Sequence, residues 1–391
     1  MPPRSAQLDQ MAGATVTWDT LRELAGFRAG RGCAISFYLN LDPHLSPTAA
    51  DAQTRARALL DEAQKRAEAS RDRRTHDQHA SIRTGLGRIE RYFFQEFSRD
   101  GVQGLAVFVA VLDDLWRPLS LSSTVHDVAK VASELYVTPL VPLVGDGNGA
   151  LVAYVGRERG DLYELHDGRL EPIVARFEEQ PRRHDQGGWS QANYQRHIDN
   201  LADRHLRGVA EELERELRRR RAAQVVIACS DETKSEFSGL LSAEARAAVA
   251  GWTHAEAHAG GTELLRAVKP VLERKRAERE AEAVSRWHDD VGRHGRACAG
   301  WGPTLEAASD GRIELLLYEP GANEAVHRCP KCGRLQLEDG ACPLDGTELE
   351  LRNEGLDLVL HQTLARGGKA LEVTSRRDLD PVGGVGALLR F

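Results

Sequence analysis

Two adjacent glycines set directly before a long amphipathic helix constrain this chain more than any other feature. The pair stands in Gly187-Gly188-Trp189-Ser190-Gln191, preceded by the basic run Arg182, Arg183 and His184 and followed by a helical pattern that carries Tyr194 and Arg196. Paired glycines admit positive φ and let the backbone approach a ligand closely. The first turn of the following helix offers unpaired N–H groups and a positive dipole end to an anion such as phosphate. Tyr194, Ile198, Leu201, Val209, Leu213 and Leu217 recur at helical spacings, so one face is apolar, and a helix reaching Arg221 is about 45 Å long. A glycine loop on such a lever suits nucleic acid.

Composition limits how that contact can be made. The chain has 391 residues, 41% hydrophobic and 28% charged, with a net charge of −7. This is an ordinary globular composition with room for two or three domains. A general nucleic-acid binder is basic overall, so any RNA contact here is expected to be local. The longest apolar run, Leu105 to Leu112, is far short of a membrane span, and the Met1-Pro-Pro-Arg-Ser start has no apolar signal core,. The expected location is cytoplasmic, with no membrane partner.

Punctuation divides the chain into three regions, 1–144, 145–274 and 275–391. The first opens with a helix, enters a strand at Cys33 to Leu41, continues through a charged helical stretch from Ala49 to Phe97, and has a second buried strand at Leu105 to Leu112,. Gly145-Asp-Gly-Asn-Gly149 marks a boundary,. Beyond it, Ala150 to Val155, Asp161 to His166 and Arg169 to Phe177 read as an antiparallel meander, followed by the loop and its helix, a strand at Gln224 to Cys229 and a helix at Glu236 to Val249,. A charged helix over Thr262 to His288 reads as a solvated connector,. The last region predicts a helix near Thr304, a strand at Ile313 to Tyr318, a cysteine-bearing insertion, a helix at Leu356 to Ala365 and a strand at Ala370 to Thr374. The fold class is α/β throughout.

Of the six cysteines, Cys33, Cys229 and Cys298 are scattered, whereas Cys329, Cys332 and Cys342 cluster. Cys329-Pro-Lys-Cys-Gly333 is a zinc-knuckle pattern, in which two thiolates of one turn point the same way,. Cys342-Pro-Leu-Asp-Gly346 repeats it with Asp345 in place of the fourth cysteine, and His327 is a competing fourth ligand. A structural Zn2+ is the expected cofactor. His254 and His258 lie four apart without a hydrolase carboxylate motif beside them and read as structural. No phosphate-binding Gly-Lys loop, Ser elbow or dinucleotide fingerprint followed by its acid occurs, so no nucleotide cofactor is implied.

The loop resembles the catalytic loop of the archaeal and eukaryotic class 1 release factors, where Gly-Gly-Gln-Ser precedes an aromatic and an arginine. Gly187, Gly188, Ser190, Tyr194 and Arg196 match that pattern, while Trp189 holds the glutamine position and Gln191 follows two residues later. This displaced form, Gly-Gly-x-Ser-Gln, is similar to that of the Vms-like peptidyl-tRNA hydrolases and the bacterial branch of the release factor and Pelota superfamily. The C-terminal run Gly383-Gly-Val-Gly-Ala-Leu-Leu-Arg-Phe391 and Asp310-Gly-Arg-Ile-Glu-Leu-Leu-Leu-Tyr318 resemble the same superfamily. The Asn-Ile-Lys-Ser motif that reads stop codons is absent.

The resemblance implies an RNase H-like middle domain and a Pelota-like, ribosomal L7Ae-like C-terminal domain. It implies ribosome rescue by hydrolysis of the peptidyl-tRNA ester, or cleavage of the tRNA acceptor end, with the ribosome at its peptidyl transferase centre and tRNA as partners. A delivering translation GTPase is left open. Gly187, Gly188, Ser190 and Gln191 would form the catalytic loop. An amide is no general base, so Gln191 would orient water. Arg182, Arg183, Tyr194, Arg196 and Trp189 would contact RNA, Trp189 either stacking on a base or packing on its own domain,. Arg204 and His184 are further candidates on the same stretch. The alternative from another class is a non-catalytic factor that occupies the ribosomal A site.

Overall fold

The computed structural model describes residues 16–69, 74–99, 102–121, 123–144, 149–166, 169–177, 190–220, 224–256 and 259–391, with side chains left undescribed over 175–199. Contacts gather the chain into two units, Met1–Gly145 with Ala277–Phe391, and Asp146–Arg276. The first and last of the three regions read from the sequence therefore share one unit.

In the first unit α1 (Trp18–Gly26) begins at Thr17, whose hydroxyl accepts the Thr20 N–H,. There follow β1 (Ala34–Asn40), α2 (Ala49–Ala69) and α3 (His76–Arg91). The helical stretch expected from Ala49 to Phe97 breaks because Thr75 and Gln78 form a reciprocal capping box, 3.0 and 3.3 Å, that starts a new helix,. Its end widens into a π-helical turn at Tyr92–Glu96, the Phe97 N–H reaching back five residues to the Tyr92 carbonyl,.

β2 (Gly104–Ala110), β3 (Leu115–Leu121) and β4 (Val128–Ala132) complete an antiparallel sheet of order β3-β2-β1-β4. The strand expected to Leu112 stops at Ala110, where a short 3-10 turn and Asp114, at φ 55°, reverse the chain.

Both faces of this sheet are covered. Ile35, Phe37 and Leu39 of β1 pack with Ala56, Leu60, Ile82 and Leu86 of α2 and α3. Tyr38 points the other way, into a core shared with Phe108 and, from the far end of the chain, Leu305, Leu316, Val359 and Val385. One apolar core thus joins the two sequence-distant regions.

The second unit opens with β5 (Leu151–Val155), β6 (Arg159–His166) and β7 (Arg169–Phe177), the antiparallel meander. Then come α4 (Ser190–Arg220), β8 (Val225–Cys229), α5 (Asp231–Leu240), α6 (Ala243–Ala248), β9 (Val249–Thr253) and α7 (Gly261–Gly292). The sheet runs β7-β6-β5-β8-β9, with β8 parallel to both β5 and β9. The single helix expected over Glu236 to Val249 is two helices, because the Ser230 and Ser242 hydroxyls each cap one, accepting the Thr233 and Ala245 N–H groups at 3.3 and 3.2 Å,. Val249 starts the edge strand instead.

α4 seats Leu206, Val209, Ala210, Leu213 and Leu217 in the core on one face of this sheet, whereas Leu201 is only half-buried. α7 covers the other face through Leu264, Val268, Val271 and Leu272. Its later turns bury Glu280, Val284 and Trp287. The solvated connector expected over Thr262 to His288 is therefore a helix with a packed side along much of its length.

The chain re-enters the first unit within α7. It continues through β10 (Ala297–Ala299), α8 (Trp301–Asp310), β11 (Ile313–Tyr318), β12 (Val326–Arg328), β13 (Leu335–Gln336), β14 (Glu350–Arg352), α9 (Gly355–Ala365), β15 (Lys369–Glu372) and β16 (Val385–Leu389). β10-β16-β11-β15 form one sheet and β13-β12-β14 a small antiparallel ribbon that carries the cysteines. Arg328 at the end of β12 grips Glu134 with both guanidinium arms, 2.9 and 2.5 Å. Burial works to raise the Glu134 pKa, but the Arg328 guanidinium and the nearby His361 and Arg28 together outweigh it and hold the carboxyl below its ordinary range,. Asp357 of α9 likewise pairs with Lys130 and accepts the Thr138 hydroxyl at 2.8 Å.

Gly160 sets how closely α4 lies on its sheet. A β-carbon there would stand 2.3 Å from Val209 Cγ2 and 3.4 Å from His205 Nε2. Gly160→Ala should therefore lower the melting temperature of the second unit, by an overpacking cost of about 1–3 kcal/mol. Gly239→Ala in α5, where a β-carbon meets nothing within 4 Å, should leave it unchanged or raise it. Equal effects of the two in scanning calorimetry would contradict this seating.

Candidate functional site

The first candidate site is built on α4. The helix begins at Ser190, so Ser190 and Gln191 occupy its first turn, with Tyr194 and Arg196 one and two turns in. No acidic residue lies in that first turn, and Arg218, Arg219 and Arg220 close the last one. The first turn itself thus supplies no carboxylate to the positive dipole end, while the arginines complement the negative end,. Arg182, Arg183, His184, Gly187, Gly188 and Trp189 lie outside the described residues.

Further along, the outer face of α4 is ion-paired rather than open. Asp203 pairs with Arg207 at 3.0 Å, and Arg204 beside them is exposed. Glu216 is buried and accepts from Arg220 at 2.8 Å and Arg219 at 3.2 Å; the Arg220 bond is foremost in lowering its pKa. Arg220 also reaches Glu164 on β6. These bonds, with the apolar seat, hold the helix that carries Gln191 on its sheet.

The second candidate site is the cysteine ribbon. Cys329, Cys332, Cys342 and Asp345 place one ligand atom each so that all four lie within 4.8 Å of one another. Cys329 Sγ is 3.6 and 3.7 Å from the Asp345 oxygens, and Cys332 Sγ is 3.5 Å from Cys342 Sγ. A tetrahedral ion with bonds of about 2.3 Å has ligand–ligand edges of about 3.8 Å, so the set fits one metal. All six cysteines are free thiols.

Two equivalent turns produce this set. Gly333 at φ 81° and Gly346 at φ 70° let each turn close, the Gly333 N–H donating to the Cys329 carbonyl and the Gly346 N–H to that of Cys342,. The Thr347 N–H donates to Asp345 Oδ1 at 3.0 Å and pushes the carboxyl pKa down to about 2, which keeps it ionised and ready as a ligand. Burial would raise the Cys329 thiol, yet the Cys332 and Lys331 amides and the neighbouring thiols hold it below its ordinary value,. His327, the competing fourth ligand, is outside the cluster; its Nδ1 is bonded to the Leu337 carbonyl at 2.9 Å.

The first turn is anchored from both flanking helices. Gln362 of α9 donates to the Gly333 carbonyl at 2.6 Å, and Arg334 pairs with Asp310 of α8 at 3.0 Å. His254 forms an exposed contact with Glu256 at 3.4 Å, and His258 lies outside the described residues. Sequence reading missed Arg328, Glu134 and Asp357. Their only local signal was the position of Arg328 beside Cys329.

Residues 136–273 match the model of the family described as bacterial archaeo-eukaryotic release factor family 10. The segment contains the glycine loop and all of α4; residues 1–135 and 274–391 lie outside it. No curated protein matches the chain. Among solved structures, the archaeal translation termination factor aRF1 is similar at 16% identity and a TM-score of 0.26, over 96% of this chain and 99% of that one. The Pelota of Archaeoglobus fulgidus is similar at 17% identity and a TM-score of 0.33, over 74% and 79%. Dom34 of S. cerevisiae, described as a translation termination-like factor involved in RNA quality control pathways, is similar at 11% identity and a TM-score of 0.40, over 74% and 79%.

Proposed function

We propose that this chain, whose middle segment carries the bacterial release-factor family match, acts on ribosomes as a rescue or release factor that hydrolyses the peptidyl-tRNA ester. The observation that carries the reading is the position of Gln191: it stands in the carboxylate-free first turn of α4, immediately behind Gly187 and Gly188, inside the matched segment. The meander and parallel strands of order β7-β6-β5-β8-β9 support an RNase H-like middle domain.

In this mechanism the glycines admit the loop against the tRNA acceptor end. The Gln191 amide orients a water toward the ester carbonyl, the helix start favours nearby phosphate, and the ribosome supplies the remaining catalytic surroundings. Arg182, Arg183 and Arg196 hold the RNA backbone and Trp189 stacks on a base. Cleavage of the acceptor end instead of the ester, and occupation of the A site without chemistry, are separate outcomes of the same assay.

Release of a labelled peptide from stalled ribosomes and from isolated large-subunit complexes tests the reading. Gln191→Ala should keep ribosome binding while slowing release by about 10²-fold. Equal release by wild type and Gln191→Ala would remove the residue from the mechanism; tight binding with neither release nor tRNA cleavage by wild type would make this a non-catalytic A-site factor. Charge reversal of Arg182 and Arg183 should weaken binding and flatten its salt dependence, the slope falling by about one for each phosphate that the arginines no longer hold. An unchanged slope would put the RNA surface elsewhere.

The cysteine ribbon we assign to a structural zinc, on the strength of its Cys3Asp donor set,. Elemental analysis should find one zinc per chain. Cys329→Ser should then speed proteolysis around Cys342 while leaving the second unit as resistant as before, because metal-binding free energy is local folding free energy. No zinc after growth in supplemented medium would contradict the assignment.

A further inference from the structure

Within the first unit, α2, β4, the cysteine ribbon and α9 line an open cavity of about 560 Å³, a volume typical of small-ligand sites. β4 is the last strand of its sheet, so alternate N–H and C=O groups along it face away from β1. Ala63, Ala67, Val131 and Leu358 give the cavity an apolar component.

Among the described residues its lining holds five cationic side chains, Arg66, Arg74, Lys130, Arg328 and Arg352, against three carboxylates. Glu134 is taken up by Arg328, and Asp357 by Lys130 and the Thr138 hydroxyl. Among the described residues Glu354 is then the one carboxylate of the lining left beside Arg66, Arg74 and Arg352. Arg66 and Arg352 pair with the exposed carboxylates Glu62 and Glu350, close on their own elements. Such surface pairs are weak, and a better-placed anion can replace them. Arg74 is held differently: its Nη1 donates to the Ala67 carbonyl at 3.0 Å, which fixes the guanidinium without neutralising it and leaves other N–H groups to donate,.

We infer that this cavity is a binding site for a phosphate-bearing ligand, with Arg74 as its fixed contact and Arg66 and Arg352 closing on the same group. A guanidinium fork matches the geometry of phosphate oxygens, and three of them border one apolar-backed cavity, two of them offset only by carboxylates outside its lining. The phosphate has two possible sources, a free phosphorylated small molecule or a phosphodiester of an RNA strand. This site belongs to the first unit and does not depend on the chemistry proposed for Gln191.

Isothermal titration of the full-length chain, at constant ionic strength set by chloride, tests the inference with inorganic pyrophosphate and with a tetraribonucleotide lacking terminal phosphates. At least one probe should bind, and Arg74→Gln and Arg352→Gln, made separately, should each weaken it tenfold or more. Arg22→Gln, in an exposed pair on α1 of the same unit, should not. Binding of pyrophosphate alone identifies a free phosphorylated compound, and binding of the oligonucleotide alone identifies RNA. Failure of both probes to bind at millimolar concentration, or binding unaltered in both variants while their melting temperatures match wild type, would overturn the site.

Discussion

The ion pair between Arg328 and Glu134 is the contact on which the first unit depends. It joins the last residue of the ribbon strand β12 to the turn that follows β4, so a side chain directly beside Cys329 of the thiol cluster is fixed by a region nearly two hundred residues earlier. The exposures of the two side chains, 17% and 13%, are low enough that removing either partner would leave a largely buried charge unpaired,. The apolar core around Tyr38, Phe108, Leu316 and Val385 supplies adhesion without direction. The bidentate pair supplies register, and it also keeps Arg328 and Glu134 together in the wall of the arginine-lined cavity.

In the second unit the corresponding constraint is steric. Gly160 permits Val209 and His205 to sit directly on β6, and the buried stripe from Leu206 to Leu217 then fixes the axis of α4. A helix held along its later turns presents its first turn in a defined place. That turn contains Gln191. The link from sequence to function therefore runs through packing: a small residue on a strand positions a polar residue at the far end of a helix.

Much of this was legible in the sequence because local chemistry and global fold agree there. The strands β1, β5, β7, β8 and β11 match β-prone runs, and the paired Cys-Pro turns foretold a four-ligand cluster. The failures have physical causes. The helix expected over Glu236 to Val249 overlooked Ser242, whose cap restarts the chain, and Val249, which pairs with Val225 at the sheet edge. The charged appearance of α7 hid Val284 and Trp287, because a few large apolar residues among many charges suffice to pack a helix,. His327 looked equivalent to Asp345 as a ligand, but the second Cys-Pro turn brings Asp345, and not His327, to the three thiols. That residues 1–145 and 277–391 form one unit depends on contacts such as Arg328 to Glu134, which have no sequence period and leave no local trace.

The central functional claim is that the loop ahead of α4 meets the peptidyl-tRNA ester on the ribosome. Cryo-electron microscopy of the wild-type chain bound to stalled ribosomal complexes tests it most directly. The account predicts density for Gly187 to Gln191 in the peptidyl transferase centre, with the first turn of α4 beside the tRNA acceptor end. A complex in which the second unit contacts the ribosome through another surface, and this loop lies away from the tRNA end, would contradict it.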